Sequence, residues 1–287
     1  MLSRYPIVVR GGDKDMLQSD SNAFARYKLA NTAQQHTNFI TEHTLLFVLQ
    51  GHKRLHIDES TYTAEAGHLM LMKRGIYTMS EFIEEGLNYE ALLLFFNDEF
   101  VKKFLHHYQL TTTQAAPAPS HLVIPSNELL DNFKSQYMSY FGKTMDNLEM
   151  ILKLKLQEVL LLLLAGPQRK NILEFLQSIT FGQPLDIDYI VRKHLFQPLT
   201  LEELAKLSGR SLASFKRDFQ QRYQSAPKKW INEQRLAHAH MLLQHSDKQV
   251  SEVAMGCGFE NIPHFIRIFK QEYGVTPNHA RAKNAIV

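Results

Sequence analysis

A single cysteine, Cys257, stands among 287 residues. That excludes an internal disulfide and a thiolate metal cage, and it fits a reducing cytoplasm. Long apolar runs are missing too. The longest, Val159 to Ala165, is too short to span a bilayer, and the N-terminal Met–Leu–Ser–Arg–Tyr–Pro has no apolar signal core, so export is not expected. There is no Gly-x-Ser-x-Gly, no phosphate-binding glycine-lysine loop and no His-Glu-x-x-His, which removes the commonest signatures of hydrolytic, nucleotide and zinc chemistry. Fourteen histidines are present, but their spacing opposes a metal site. On one strand His52 and His56 would lie about 13 Å apart, and His238 and His240 on a helix point to nearly opposite faces. No catalytic residue, metal or cofactor is expected.

What the chain does have is a repeat. Leu201, Glu203, Ala205 and Gly209 open a segment continued by Phe215, Arg217, Phe219, Tyr223 and Pro227. Val250, Glu252, Ala254 and Gly258, then Phe265, Arg267, Phe269, Tyr273 and Pro277, repeat it. The offset is 49 residues up to the glycine and 50 after it, so the second turn carries one inserted residue. Each copy reads as a short helix, a glycine-containing turn and a second helix, the plan of a helix-turn-helix. Thr200 and Glu203 form the capping-box pair for the first. Between the copies, Pro227 opens a long helix whose Ile231, Leu236, Ala239, Leu242 and Leu243 make a face able to tie them together. Charge follows the same division. Residues 1–185 carry 17 Lys+Arg against 19 Asp+Glu, whereas residues 186–287 carry 15 against 10. The basic excess falls where phosphate neutralisation would need it.

The first part of the chain reads mainly as strands. Thr44–Gln50, Lys53–Asp58, His68–Met72, Ile76–Met79 and Tyr89–Phe96 are short apolar or alternating runs split by Gly51, Gly67, Gly75 and Gly86, which argues for a small antiparallel barrel or sandwich. Asn97 caps a helix with Phe100, Phe104 and Leu105 on one face, and Thr111–Ser120 is a connector. Three helices follow, at about 126–142, 146–165 and 169–181. The middle one is apolar nearly all round, so it must be covered on more than one side. The strands cover one side; a second subunit covers another through Leu152, Leu156, Leu160 and Leu163, unless the helix is satisfied within its own chain. Phe47, Leu49, Leu69, Leu71, Phe82, Leu92, Leu94 and Phe96 are candidate linings of an effector pocket inside the barrel, with plain core packing as the other reading. Residues 1–120 thus form a sensor barrel, 121–185 a helical dimerisation segment and 186–287 an all-α domain, an α+β chain overall.

From Pro227, Trp230, Ile231, Arg235 and Leu236 through Val250, Glu252, Ala254, Gly258 and Phe259 to Gly274, Thr276, Pro277 and Arg281, the C-terminal third resembles the signature of the AraC/XylS family of bacterial transcription regulators. The N-terminal half is similar, less specifically, to that family's cupin-like sensor domain, and the run from Leu154 resembles the subgroup controlling type III secretion and virulence genes. The resemblance implies a sequence-specific activator that binds double-stranded promoter DNA as a homodimer and works with RNA polymerase. Its N-terminal half would answer to a small molecule or a protein partner. A metal-dependent cupin enzyme is the alternative, disfavoured because the His-x-His and trailing Glu of such sites are missing after Gly51.

In each motif the second helix would enter the major groove. In the first copy, Leu212, Phe215 and Phe219 face the core, leaving Ser211, Ala213, Ser214, Lys216, Arg217 and Gln220 for DNA. Arg217 sits at the family position that commonly contacts DNA, and its fork can read a guanine; an ion pair within the domain is its other reading. The second copy offers Asn261, Ile262, His264, Arg267 and Lys270. Ile262 is suited to a thymine methyl, while Pro263 offers neither donor nor acceptor. This half is expected to bind mostly backbone and shape.

Overall fold

The computed structural model describes residues 2–6, 16–18, 23–29, 33–57, 59–82, 88–110, 118–143, 145–181 and 184–282. Two compact units divide the chain, Met1–Gly182 and Gln183–Val287. The first contains strands β1 (Ser3–Tyr5), β2 (Met16–Gln18), β3 (Ala23–Leu29), β4 (Ala33–Ile40), β5 (His43–Gln50), β6 (His52–Ile57), β7 (Ser60–Glu65), β8 (His68–Met72), β9 (Gly75–Phe82), β10 (Tyr89–Phe96) and β11 (His121–Pro125), with helices α1 (Asp98–His107), α2 (Glu128–Met138), α3 (Leu148–Ala165) and α4 (Arg169–Phe181). The second is helical: α5 (Ile187–Lys193), α6 (Leu201–Leu207), α7 (Leu212–Tyr223), α8 (Pro227–His245), α9 (Val250–Gly256), α10 (Ile262–Tyr273) and α11 (Pro277–Ala282).

Two sheets form, in the orders β1-β4-β9-β6-β7 and β11-β8-β5-β10-β3-β2. Every pair is antiparallel except β1 with β4. Among the described residues no ladder joins one sheet to the other, so the expected barrel is an open sandwich. Strands β5, β8 and β10 are apolar on both faces because both faces are covered. Leu46, Val48, Met70, Met72, Leu93 and Phe95 meet Ile40, Leu55, Tyr77 and Met79 of the opposing sheet. The alternate residues pack on the other side, with Val101, Phe104, Phe133, Leu156, Leu160 and Phe175 of the helices.

That alternation corrects two expectations. Phe47, Leu69, Leu71, Leu92, Leu94 and Phe96, with the half-buried Leu49, lie in the core shared with the helices, not in the sandwich interior. Side chains change face at every residue of a strand, and a run apolar on both faces gives no sequence clue to which face is which. The side chain of Phe82 lies outside the described residues. Leu152, Leu156, Leu160 and Leu163, proposed for a dimer interface, are all buried in that same core. They cover the sheet of their own chain and cannot reach a second one. A charge at Leu156 would unfold the unit rather than separate subunits.

A polar cluster pins α1 to the sheet. Asn97 Oδ1 accepts from Phe100 N at 2.8 Å, capping the helix. His43 accepts at Nδ1 from the Arg74 backbone N–H (3.1 Å), which leaves Nε2 to donate to Asp98 Oδ1 (2.7 Å), while Arg74 Nη2 donates to Asp98 Oδ2 (2.7 Å). Burial would raise the Asp98 carboxyl, but hydrogen bonds from His43 and Arg74 outweigh it and hold the pKa at about 2. For His43, burial outweighs the Asp98 hydrogen bond and lowers the pKa, so the ring is neutral at neutral pH. A lowered pKa means the unfolded chain binds the proton first. The His43 contribution is complete above about pH 6.5 and is lost as pH falls through the lower folded value. Urea titration should show stability dropping as pH is taken from about 7.5 to 5.5, with a smaller drop in His43→Asn; an equal drop in both would show that His43 does not carry it.

Candidate nucleic-acid interface

In the second unit each motif builds its own core. Ile187, Ile190, Leu204, Ala205, Phe215, Phe219 and Ile231 fill the first. Leu236, Ala239, Leu243, Val253, Ala254, Phe265 and Phe269 fill the second. Helix α8 contributes to both, Ile231 to one and Leu236, Ala239 and Leu243 to the other, so one rigid rod carries both motifs.

The leading helices start and stop alike. Thr200 and Glu203 complete a capping box, and the Gln249 backbone N–H donates to Glu252 Oε2 at 2.7 Å. Helix α6 ends with Gly209 at φ +73 and a closing bond from Arg210 N to Ala205 O (2.9 Å); α9 ends with Gly258 at φ +82 and a bond from Phe259 N to Ala254 O (3.0 Å). Left-handed backbone at these turns suits glycine. Each recognition helix then starts on a side-chain cap: Ser211 Oγ accepts from Ser214 N (3.2 Å) and Asn261 Oδ1 from His264 N (2.8 Å).

Residue by residue, Ser211–Gln220 and Asn261–Lys270 pass through exposed, half-buried and buried positions in the same order. Ala213, Lys216, Arg217 and Gln220 are exposed, as are Arg267 and Lys270; Ser214 and His264 are half-buried. The structure therefore gathers most of the sequence candidates onto matching faces. Arg217 keeps its side chain 74% exposed while Nη2 donates to Ser214 Oγ (3.2 Å) and Nε to Asp218 Oδ1 (3.3 Å). A hydrogen bond from Arg210, and then the charge of Arg217, lowers the Asp218 pKa. In the second copy Arg267 Nη2 lies 3.0 Å from His264 Nδ1, and the place of Asp218 is taken by Ile268, packed on its core.

Ile262 is half-buried against the second core, as its counterpart Leu212 is half-buried in the first copy, so part of its surface holds α10 in place. Sequence reasoning missed Ile266, an exposed apolar residue at the position Lys216 occupies. The 50-residue offset already pairs them, but the motif's family pattern drew attention to the start of the helix instead.

A second missed residue is Arg235 of α8. Its buried guanidinium donates to Leu195 O (2.7 Å), Gln197 O (2.5 Å) and Gly258 O (3.0 Å). The α5–α6 loop and the turn of the second motif are thereby held to one side chain. The nearby Cys257 is buried, and burial pushes its thiol up to about 11, so it is inert packing.

In the first unit, the histidines weighed as metal ligands are otherwise engaged. His56 contacts Thr61 Oγ1 (3.1 Å) and Ser80 Oγ (2.9 Å), and His52 faces Glu65 at 4.0 Å. Between the sheets lies a cavity of about 30 Å³ lined by the polar Asn38, Lys53 and Glu81 and by apolar side chains such as Leu46, Met79 and Leu93. Lys53 and Glu81 form a buried ion pair there; burial lowers the Lys53 pKa, and Glu81 opposes that shift. The space suits a water or two.

Comparison with known proteins now bears on both units. Residues 43–175 match the ExsA N-terminal regulatory domain family, and residues 204–283 match a helix-turn-helix domain family. The HTH-type transcriptional regulator ExsA of Pseudomonas aeruginosa is 23% identical over 244 residues, spanning 84% of this chain and 86% of that protein. The virulence regulon transcriptional activator VirF of Yersinia enterocolitica is 25% identical over 250 residues, spanning 84% and 91%. Among solved structures, ToxT from Vibrio cholerae aligns with a TM-score of 0.46 at 15% identity over 92% of this chain and 98% of that one.

Two glycines provide a test of the Arg235 contact. A Cβ on Gly258 would sit 2.9 Å from Phe196 O and 3.0 Å from Arg235 Cζ, whereas one on Gly274, at φ +73, meets nothing within 4 Å. Gln224, at the same place after α7, already adopts φ +51. Gly274→Ala should cost about 1–2 kcal/mol, the strain of a left-handed residue. Gly258→Ala should cost clearly more by thermal or urea unfolding, and equal losses would refute the close packing at this turn.

Proposed function

We propose that this chain, which belongs to the AraC/XylS family of bacterial transcription regulators, activates transcription by laying its two recognition helices into successive major-groove segments of promoter DNA. The observation that carries this reading is the pair of matched faces on α7 and α10, held on one rod by α8. Lys216, Arg217 and Gln220 supply donors in the first, and Arg217 can bridge O6 and N7 of a guanine with its fork. Contacts to Ser214 and Asp218 hold that fork on the helix surface while leaving it accessible. Asn261, His264, Arg267 and Lys270 serve the second half-site, with contacts weighted toward phosphate and shape. Ser211 and Asn261 act first as caps, so their loss would fray the helix as well as remove a contact. Contact with RNA polymerase would follow once the promoter is occupied.

Self-association is assigned to the outer face of α3. Met150, Leu154 and Leu161 are 59%, 65% and 37% exposed, and helical spacing aligns them into one stripe. Two copies crossing antiparallel with their centre near Lys155 and Leu156 would set Met150 against Leu161 and Lys153 against Glu158, a self-complementary pattern suited to a two-fold interface. Control of this unit is assigned to a protein partner, because the cavity described between the sheets leaves room for a water or two. Screening for thermal shifts with small metabolites should find none that stabilises the protein through this cavity. A metabolite that does so, and loses its effect in Asn38→Leu, would overturn the assignment.

DNA binding should weaken steeply with salt, with a log–log slope of about −0.9 per phosphate contact. Arg217→Ala should cost about 1–3 kcal/mol and relax base preference in the first half-site, while His264→Ala alters preference little. Competition against randomised duplexes measures both; greater loss of selectivity from His264→Ala would sink the asymmetric reading. Leu154→Asp should leave the fold intact and convert the protein to a monomer in sedimentation. A monomeric wild type at every concentration, on and off DNA, would dispose of the dimer.

A further inference from the structure

The exposed strip of α10 keeps the cations Arg267 and Lys270 but carries an apolar side chain at one position where that of α7 is cationic. Ile266 replaces Lys216, and Pro263, one turn earlier, replaces Ala213. Ile266 is 38% exposed and is followed by the exposed Arg267 and Lys270, so it stands among the charges that would face DNA and outside the core that holds Ile262, Phe265, Ile268 and Phe269. His264 Nδ1 lies against Arg267 Nη2, which ties these two polar side chains to each other one turn apart along the same face. Ile266 is the exposed apolar side chain on this face, beside Arg267 and Lys270.

An isoleucine has neither donor nor acceptor, so it cannot recognise the hydrogen-bonding edge of any base. One major-groove feature rewards it, the C5-methyl group of thymine. Its β-branched side chain is confined to essentially one χ1 rotamer in a helix, so the apolar surface is held at a fixed place and can select a single position. We infer that Ile266 determines specificity in the second half-site by packing on one thymine methyl, so that this half-site is read as T·A where the first is read through the donors of Lys216 and Arg217. The inference rests on α10 being a recognition helix and adds to it the base that this helix selects.

The test removes only the methyl group. Full-length protein selects a site from randomised duplexes, and each thymine of the second half-site is then replaced singly by deoxyuridine at fixed salt. One replacement should weaken binding by the wild type by about fourfold, the worth of burying one methyl group. The same replacement should have no effect on Ile266→Ala, a variant whose melting temperature should match the wild type because the position is exposed. Ile266→Lys should lose the thymine preference while retaining salt-sensitive affinity. A selected half-site without thymine, tolerance of uracil at every position, or a uracil penalty that persists in Ile266→Ala would each overturn the inference while leaving DNA binding intact. Failure to bind any duplex in a salt-sensitive way would overturn the parent reading as well.

Discussion

The buried guanidinium of Arg235 is the constraint on which the second unit depends. It has no carboxylate partner among the described residues; three backbone carbonyls, of Leu195, Gln197 and Gly258, accept its hydrogen bonds instead. A buried charge is tolerated only when its donors are satisfied, so those carbonyls must stay where they are. Two come from the loop before the first motif and one from the turn inside the second. Because Arg235 projects from the helix that contributes to both cores, this single group fixes the second turn against the rod. The approach is close enough that only glycine fits at residue 258. Without that register, the two faces that match so closely in exposure would not present themselves in a fixed relation.

The first unit is organised on a different principle. Its central strands β5, β8 and β10 are covered on both sides, one by the opposing sheet and the other by the four helices. A layer buried twice is stable and also closed. Among the described residues the inner faces fill the sandwich around a small cavity lined by the Lys53–Glu81 pair and by apolar side chains such as Leu46, Met79 and Leu93, and the helices use their apolar stripes to cover the sheet. Apolar side chains remain exposed outside this packing, among them Met150, Leu154 and Leu161 of α3 and Leu129 of α2.

Much of this was legible in the sequence, for physical reasons that also mark where legibility ends. The helix-turn-helix pair could be read because its signals are local: the cap at Thr200, the turn glycines Gly209 and Gly258, and phenylalanines spaced to face one core. Strands β8 and β10 are legible to the residue because glycines and polar residues punctuate them. The face assignment of those strands could not be read, since Leu69 and Met70, or Leu92 and Leu93, are equally apolar and period-two patterning vanishes when both faces are buried. Helix α3 misled for the same reason. Leucines run all round it, and only the tertiary structure distinguishes the buried Leu156 from the exposed Leu154. Strand β7, Ser-Thr-Tyr-Thr-Ala-Glu, and β11 went unrecognised, the first because only Ala64 among its six residues is fully buried. Arg235 was visible as a letter of a motif, but its three acceptors lie 23 to 40 residues away, beyond any local pattern.

Methylation interference with full-length protein on a selected duplex tests the central claim most directly, because methylating guanine N7 blocks the groove edge that an arginine fork reads. Two contacted major-groove segments about one helical turn apart are expected, with strong guanine interference in the segment occupied by α7 and weak interference in the one occupied by α10. A single contacted segment, or guanine interference of equal strength in both, would contradict a tandem reader whose two halves recognise DNA by different chemistry.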